Sequence, residues 1–171
     1  MPLPPLVTNH RELLTLNSNK LPIYKDAIPG IPGVDVQPLM LDTHNGVWVV
    51  RAIIHPGVRL PTHYHTGSVH LWTLSGRWHY VEYPDQPQTA GSYLYEPGSS
   101  IHTLTTPADN TEPTEMVMVV QGSNVNFDAD GNYVGLLDAN SIVQMIDHLI
   151  RERGLDPARY IRPPQPDYTT R

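Results

Sequence analysis

Apolar positions along the chain fall into short β-branched and aromatic runs separated by turn residues, with little of the three-and-four spacing that marks amphipathic helices. From about residue 34 to residue 137 these runs are VQPLML, GVWVVRAII, VRLPTHYH, VHLWTL, RWHYVEY, SYLYE, MVMVVQG, NVNF and NYVGLL. Their rhythm of about 8 to 12 residues predicts an all-β sandwich or barrel of many short strands. Ser75-Gly76 and Asp130-Gly131, each set between two such runs, predict antiparallel hairpins. Helical periodicity surfaces once, late in the chain, where Ile142, Met145, Ile146, Leu149 and Ile150 share a face. Asn140 or Ser141 serves as the cap and Gly154 as the stop.

The two ends read differently. Residues 1–33 are punctuated by Pro2, Pro4, Pro5, Pro22, Pro29 and Pro32 and carry one apolar patch at Leu13, Leu14 and Leu16. This predicts an extended arm with one turn of helix, covering a sheet edge or reaching a neighbouring subunit. The tail after Arg159, with Pro163, Pro164 and Pro166, predicts a loose segment or a docked strap. The organisation expected is thus a single domain, with an arm (1–33), a barrel (34–137), and a helix with its tail (138–171).

Composition narrows the chemistry. At 171 residues and 39% hydrophobic content, one domain of this size buries enough surface to need no staple. The absence of cysteine excludes disulfides, thiolate metal sites, iron–sulfur clusters and a cysteine nucleophile. A net charge of −6 without any basic run argues against nucleic acid or an anionic membrane as partner. No apolar stretch is long enough to span a bilayer and no leader pattern opens the chain, so a cytoplasmic location is expected. The unusual residue is histidine: there are nine, and five crowd between His63 and His102.

His63 and His65 flank Tyr64, and on a strand such residues project from the same side about 6.5 to 7 Å apart, close enough for two imidazoles to reach one ion. By the same alternation His70, Trp72 and Leu74 share a face, as do Trp78, Tyr80 and Glu82 beyond the turn. A three-residue loop, Ser75-Gly76-Arg77, sets His70 opposite Glu82 with both pointing into one cavity, whereas a two-residue loop turns Glu82 to the other face. Trp72, Trp78 and Tyr80 then line the substrate space, a role compatible with plain core packing. Glu96, six residues before His102, is the competing carboxylate, ranked second because Pro97 follows it at a strand end. Arg51 shares the face of Val47, Val49 and Ile53, where it meets an anion, a carboxylate or solvent. His10, His44, His55 and His148 lie outside these patterns and read as surface or hydrogen-bonded residues rather than ligands. Asp128-Ala-Asp130-Gly131-Asn132 begins like a calcium loop but has Ala139 at the twelfth position, so it reads as a hairpin turn.

The spacing resembles the cupin family. The run from Gly57 through His63-Tyr64-His65 to Gly76 looks like its first motif, and Gly91-Ser-Tyr-Leu-Tyr-Glu-Pro97-Gly98-Ser-Ser-Ile-His102 looks like its second. The resemblance implies a double-sheet jelly-roll β-barrel with His63, His65 and His102 as metal ligands. It departs where most cupins carry a ligating Glu and this chain has His70, which leaves three readings: Glu82 as replacement, His70 as ligand, or a three-histidine centre of the acetylacetone-dioxygenase type. The string from His63 to Glu82 is similar to 2,4′-dihydroxyacetophenone dioxygenases, which implies ligation by His63, His65, His102 and Glu82. It further implies Fe(II) as the metal, with Zn, Ni or Mn also suited to such donors. His70 becomes the candidate for a catalytic role, as ligand or as hydrogen-bond donor behind the ligands, beside the plain reading of a satisfied core histidine. The implied reaction cleaves an aryl α-hydroxyketone with O2 to an aromatic carboxylate and formate, in a homodimer or higher homo-oligomer. The rival implication, from resemblance to ChrR anti-sigma factors, is a non-enzymatic metal-binding sensor domain.

Overall fold

The structure, a computed structural model, describes residues 14–163. Leu13 of the expected apolar patch, His10, Pro164 and Pro166 lie outside the described residues. A 3-10 turn at Ser18–Lys20 precedes twelve strands: β1 (Val34–Asp42), β2 (Val47–Ile54), β3 (Thr62–His65), β4 (Val69–Ser75), β5 (Arg77–Tyr80), β6 (Gln88–Thr89), β7 (Tyr93–Glu96), β8 (Ile101–His102), β9 (Leu104–Thr105), β10 (Thr114–Gln121), β11 (Asn124–Phe127) and β12 (Tyr133–Leu137). One helix, α1 (Ala139–Arg153), follows. The all-β expectation with a single C-terminal helix holds.

The strands pair antiparallel in a five-stranded sheet, β1-β2-β10-β4-β7, a four-stranded sheet, β12-β11-β3-β8, and a three-stranded sheet, β6-β5-β9. Alternation drives Trp48, Val50 and Ala52 of β2, Met116 and Val120 of β10, and Val69 and Leu71 of β4 into one core with Trp78 of β5. Pro38 sits in β1 without breaking the ladder because β1 is an edge strand and its register slips between Pro38 and Met40.

Two segments flanking the barrel in sequence cover that edge. Tyr24 exchanges both backbone hydrogen bonds with Val36, at 2.8 and 2.9 Å, and Ile161 pairs in parallel beside Met40, its N–H donating to the Leu39 carbonyl at 2.8 Å. The described parts of the arm and the tail are therefore strapped to β1 through Tyr24 and Ile161.

Two local expectations need correction. The Ser75-Gly76 turn does not close a hairpin: β4 pairs with β10 and β7, and β5 with β6 and β9. Gly76 turns a corner between sheets at φ 73°, so close to β10 that a Cβ there would stand 2.7 Å from Thr114 Cα. The Asp130-Gly131 hairpin does form, joining β11 to β12, but through residues 128–132, with Asp128 accepting the N–H groups of Asp130 and Asn132. The α1 cap is Asp138, earlier than Asn140 or Ser141. Asp138 Oδ1 accepts the Ser141 N–H at 2.8 Å while the Ser141 hydroxyl accepts the Asp138 N–H, and Gly154 ends the helix at φ 62°. Ile142, Ile146 and Leu149 bury the expected face. Among the described residues no helix is long and apolar enough to cross a membrane.

Candidate metal centre

β3 exposes alternate residues to opposite faces, so His63 and His65 are both buried on its inner side. β8 brings in His102, paired directly across from His63. The ring centroids lie 5.0 Å (His63–His65), 4.7 Å (His63–His102) and 5.4 Å (His65–His102) apart, and one nitrogen from each ring falls within 4.8 Å of the others. His63 Nδ1 donates to the Pro61 carbonyl at 2.8 Å, which leaves the Nε2 lone pair free for the centre.

The carboxylate in the cluster is Glu96. It ends β7 directly opposite Val69, one of the inward residues of β4, and its Oε2 lies 3.0 Å from His65 Nε2 and 3.2 Å from His102 Nε2. The Tyr80 hydroxyl donates to Glu96 Oε1, and the Tyr80 ring packs against His102 at 4.3 Å between centroids. Glu96 Oε2, His102 Nε2 and His65 Nδ1 are buried without a hydrogen-bond partner of acceptable geometry. Glu96 Oε2 and His102 Nε2, orphaned beside the His63 and His65 rings, are costly in a bare protein, and the grouping fits a divalent metal of the Fe, Mn, Ni or Zn kind.

The electrostatics agree. Burial, reinforced by the neighbouring His102 and His65 rings, lowers the His63 pKa to about 4, so that ring is neutral near pH 7. Burial alone would raise the Glu96 carboxyl, but the His102 and His65 rings outweigh it and hold it below the ordinary carboxylate range. Burial, then the Glu96 charge, pushes the Tyr80 phenol well above its usual value, so it stays a donor.

The structure does not bring Glu82 into this cluster. β5 ends at Tyr80, the alternation that aimed Glu82 inward stops with it, and the carboxylate accepts the Thr103 N–H and hydroxyl, each at 2.8 Å, from an exposed position. His70 also lies elsewhere: on β4 the buried residues are Val69, Leu71 and Thr73, so His70, Trp72 and Leu74 do share a face, but it is the outer one. There His70 Nδ1 lies 2.7 Å from the Tyr93 hydroxyl, and Trp72 is 42% exposed. Trp78, at 0% exposure, is a core residue whose indole N–H donates to Thr73 Oγ1. Arg51 pairs with Glu115 on the outer face of the five-stranded sheet.

A cavity of about 430 Å³ between the two larger sheets reaches the centre at His63. Its walls are mainly aliphatic, from the residue 28–31 loop, β1, β2, β12 and α1, with Trp48 and the polar side chains of Asn124 and Asn126 beside them. These asparagines face His65 and His63 across the β11–β3 register, and Asn124 Oδ1 is buried without a partner. Neither belongs to the histidine pattern that marks the centre in the sequence. Their signal was polar residues alternating on NVNF, the strand that pairs with the His-Tyr-His run.

The model of the ChrR cupin-like domain matches residues 24–125. No curated protein matches the chain to a significant degree. Among solved structures, a protein of unknown function with a cupin-like fold from Ralstonia eutropha JMP134 is 48% identical, with a TM-score of 0.87 over 96% of this chain and 100% of that one. An RmlC-like cupin protein from the same organism is 25% identical, with a TM-score of 0.76 over 86% of this chain and 93% of that one. An acetylacetone dioxygenase from Acinetobacter johnsonii, at 14% identity, shares the fold with a TM-score of 0.67 over 87% of this chain and 99% of that one.

Proposed function

The chain belongs to the ChrR cupin-like domain family, and from that premise we propose that it is a metal-dependent dioxygenase cleaving the C–C bond beside the carbonyl of a small ketone. The observation that carries the reading is the buried cluster of His63, His65 and His102 with Glu96 beside it, which meets a largely aliphatic cavity of about 430 Å³ at His63, a volume suited to a compact organic ligand. A largely apolar cavity that reaches a metal site limits the water around a reactive substrate, which an oxygen-consuming reaction needs.

His63, His65 and His102 would hold the metal, with Glu96 as the carboxylate donor. When bound, Fe(II) supplies the reducing power that lets dioxygen react and polarises ketone oxygens. The chain's own residues do the rest. Pro61 fixes the His63 tautomer, and Tyr80 holds one oxygen of Glu96 so that the other faces the centre. The unpartnered Asn124 Oδ1 accepts a hydrogen bond from a substrate hydroxyl. For an aryl α-hydroxyketone, O2 adds across the bond between carbonyl and carbinol carbons, and both its atoms leave in the aromatic carboxylate and formate.

The test is oxygen uptake when 2,4′-dihydroxyacetophenone is added to protein reconstituted anaerobically with Fe(II), with zinc-loaded protein as control. Uptake stoichiometric with substrate, together with 4-hydroxybenzoate and formate, is the expected result; no uptake from a fully iron-loaded centre sinks the aryl substrate. A β-diketone is the second reading, favoured by the lining: Trp72, Trp78 and Tyr80 do not line this cavity, whose walls suit an aliphatic ligand as well.

A further inference from the structure

The centre lies between two cavities of different chemistry. The large aliphatic one meets it at His63, and neither Glu96 nor His102 lines that space. A second, of about 230 Å³, meets it from the other side at Glu96 and His102, which are 4% and 2% exposed, and His63 does not line this one. Its outer residues include Tyr83 and Gln86, both exposed, and Gln88, half-buried. Phenol and amide oxygens thus stand at its mouth and a carboxylate at its foot, with Leu94, Pro97 and Ile101 completing the wall.

A divalent ion arrives wearing water. Stripping that shell against aliphatic walls costs far more than exchanging it stepwise for amide, phenol and carboxylate oxygens. We propose that the metal enters and leaves through the second cavity, with Glu96 Oε2 as the receiving ligand, while the large cavity is kept for the organic substrate. Glu96 suits the part because Tyr80 occupies its Oε1, while Oε2 faces the His65 and His102 nitrogens without a hydrogen bond of acceptable geometry. The route also separates two events that compete where one opening serves both, since substrate in the large cavity leaves the ion's path clear. The inference rests on the reading of the four residues as a metal centre, and not on the reaction they support.

The probe is Co(II), followed by its visible absorption in stopped flow, with release driven by excess chelator. Gln86→Trp narrows the mouth of the second cavity at an exposed side chain that makes no hydrogen bond. It is expected to slow uptake and release together by about 10-fold, leaving equilibrium affinity unchanged. Val134→Trp, at an exposed position lining the large cavity, is expected to leave both rates at the wild-type value. Gln86→Lys provides a variant of smaller volume: uptake slows at low salt and recovers as salt is added, because the like charge at the mouth is screened. Wild-type exchange rates in both Gln86 variants, or slowed exchange in Val134→Trp, overturn the route. Failure of the wild-type protein to bind Co(II) overturns the centre and the route together. Co(II) kinetics as expected in a protein whose iron form consumes no oxygen leave the route standing and remove only the dioxygenase reading.

Discussion

His65 and His70 stand five residues apart on successive strands, yet they occupy opposite worlds. His65 is buried on the inner face of β3 against two imidazoles and a carboxylate. His70 lies on the outer face of β4, its ring stacked on Tyr93 and tilted against Tyr95. Trp78 and Trp72 repeat the contrast, one wholly enclosed and the other open to water. Residue type is the same on both sides; strand parity decides which side chain becomes part of a centre and which decorates a surface.

The largest expected break in this contrast comes from the histidines. His65→Ala removes one donor of a buried set and should abolish stoichiometric binding of Co(II) or Zn(II) in titration calorimetry, while His70→Ala should bind with wild-type affinity. The tryptophans come next: Trp78→Ala empties a core site and should cost about 3–5 kcal/mol in urea unfolding, whereas Trp72→Ala should stay under about 1 kcal/mol. The two glutamates sharpen the picture further. Glu96→Gln should weaken metal binding by about 10- to 100-fold, and Glu82→Gln should leave it unchanged while loosening the Thr103 contact.

The smallest effect is a pH slope in the metal-free protein. The His63 pKa falls from 6.5 to about 4 on folding, so between those values the unfolded chain binds a proton that the folded chain does not. Stability therefore drops as pH falls from 6.5 to 4, and the lowered Glu96 carboxyl adds to the loss below its ordinary 4.5. Urea midpoints across that range should fall steadily in the wild type and more gently in His63→Gln.

Much of this was legible from one-dimensional patterning. Nearly every β-type run became a strand, the apolar face of α1 was marked by its spacing, and His-Tyr-His followed by His102 announced the three imidazoles. The carboxylate was not legible, for a specific reason. Placing Glu82 opposite His70 required β4 and β5 to be hairpin partners, but the Gly76 corner sends β5 into another sheet and leaves β7 as the neighbour of β4. The register that sets Glu96 across from Val69 joins segments separated by two strands, β5 and β6, and their turns, and no local spacing encodes it. Asn124 and Asn126 were hidden in the same way, since their nearness to the histidines comes from pairing between β11 and β3, far apart in the chain.

The strapping of β1 has a consequence for how copies of the molecule can meet. With Tyr24 and Ile161 occupying its hydrogen-bonding edge, the five-stranded sheet offers one unpaired edge among the described residues, at β7. A filament grown by strand addition needs two such edges on every unit, one to accept and one to extend. This sheet has a single terminus for growth, so edge-to-edge association through it stops at a pair instead of propagating into a fibre.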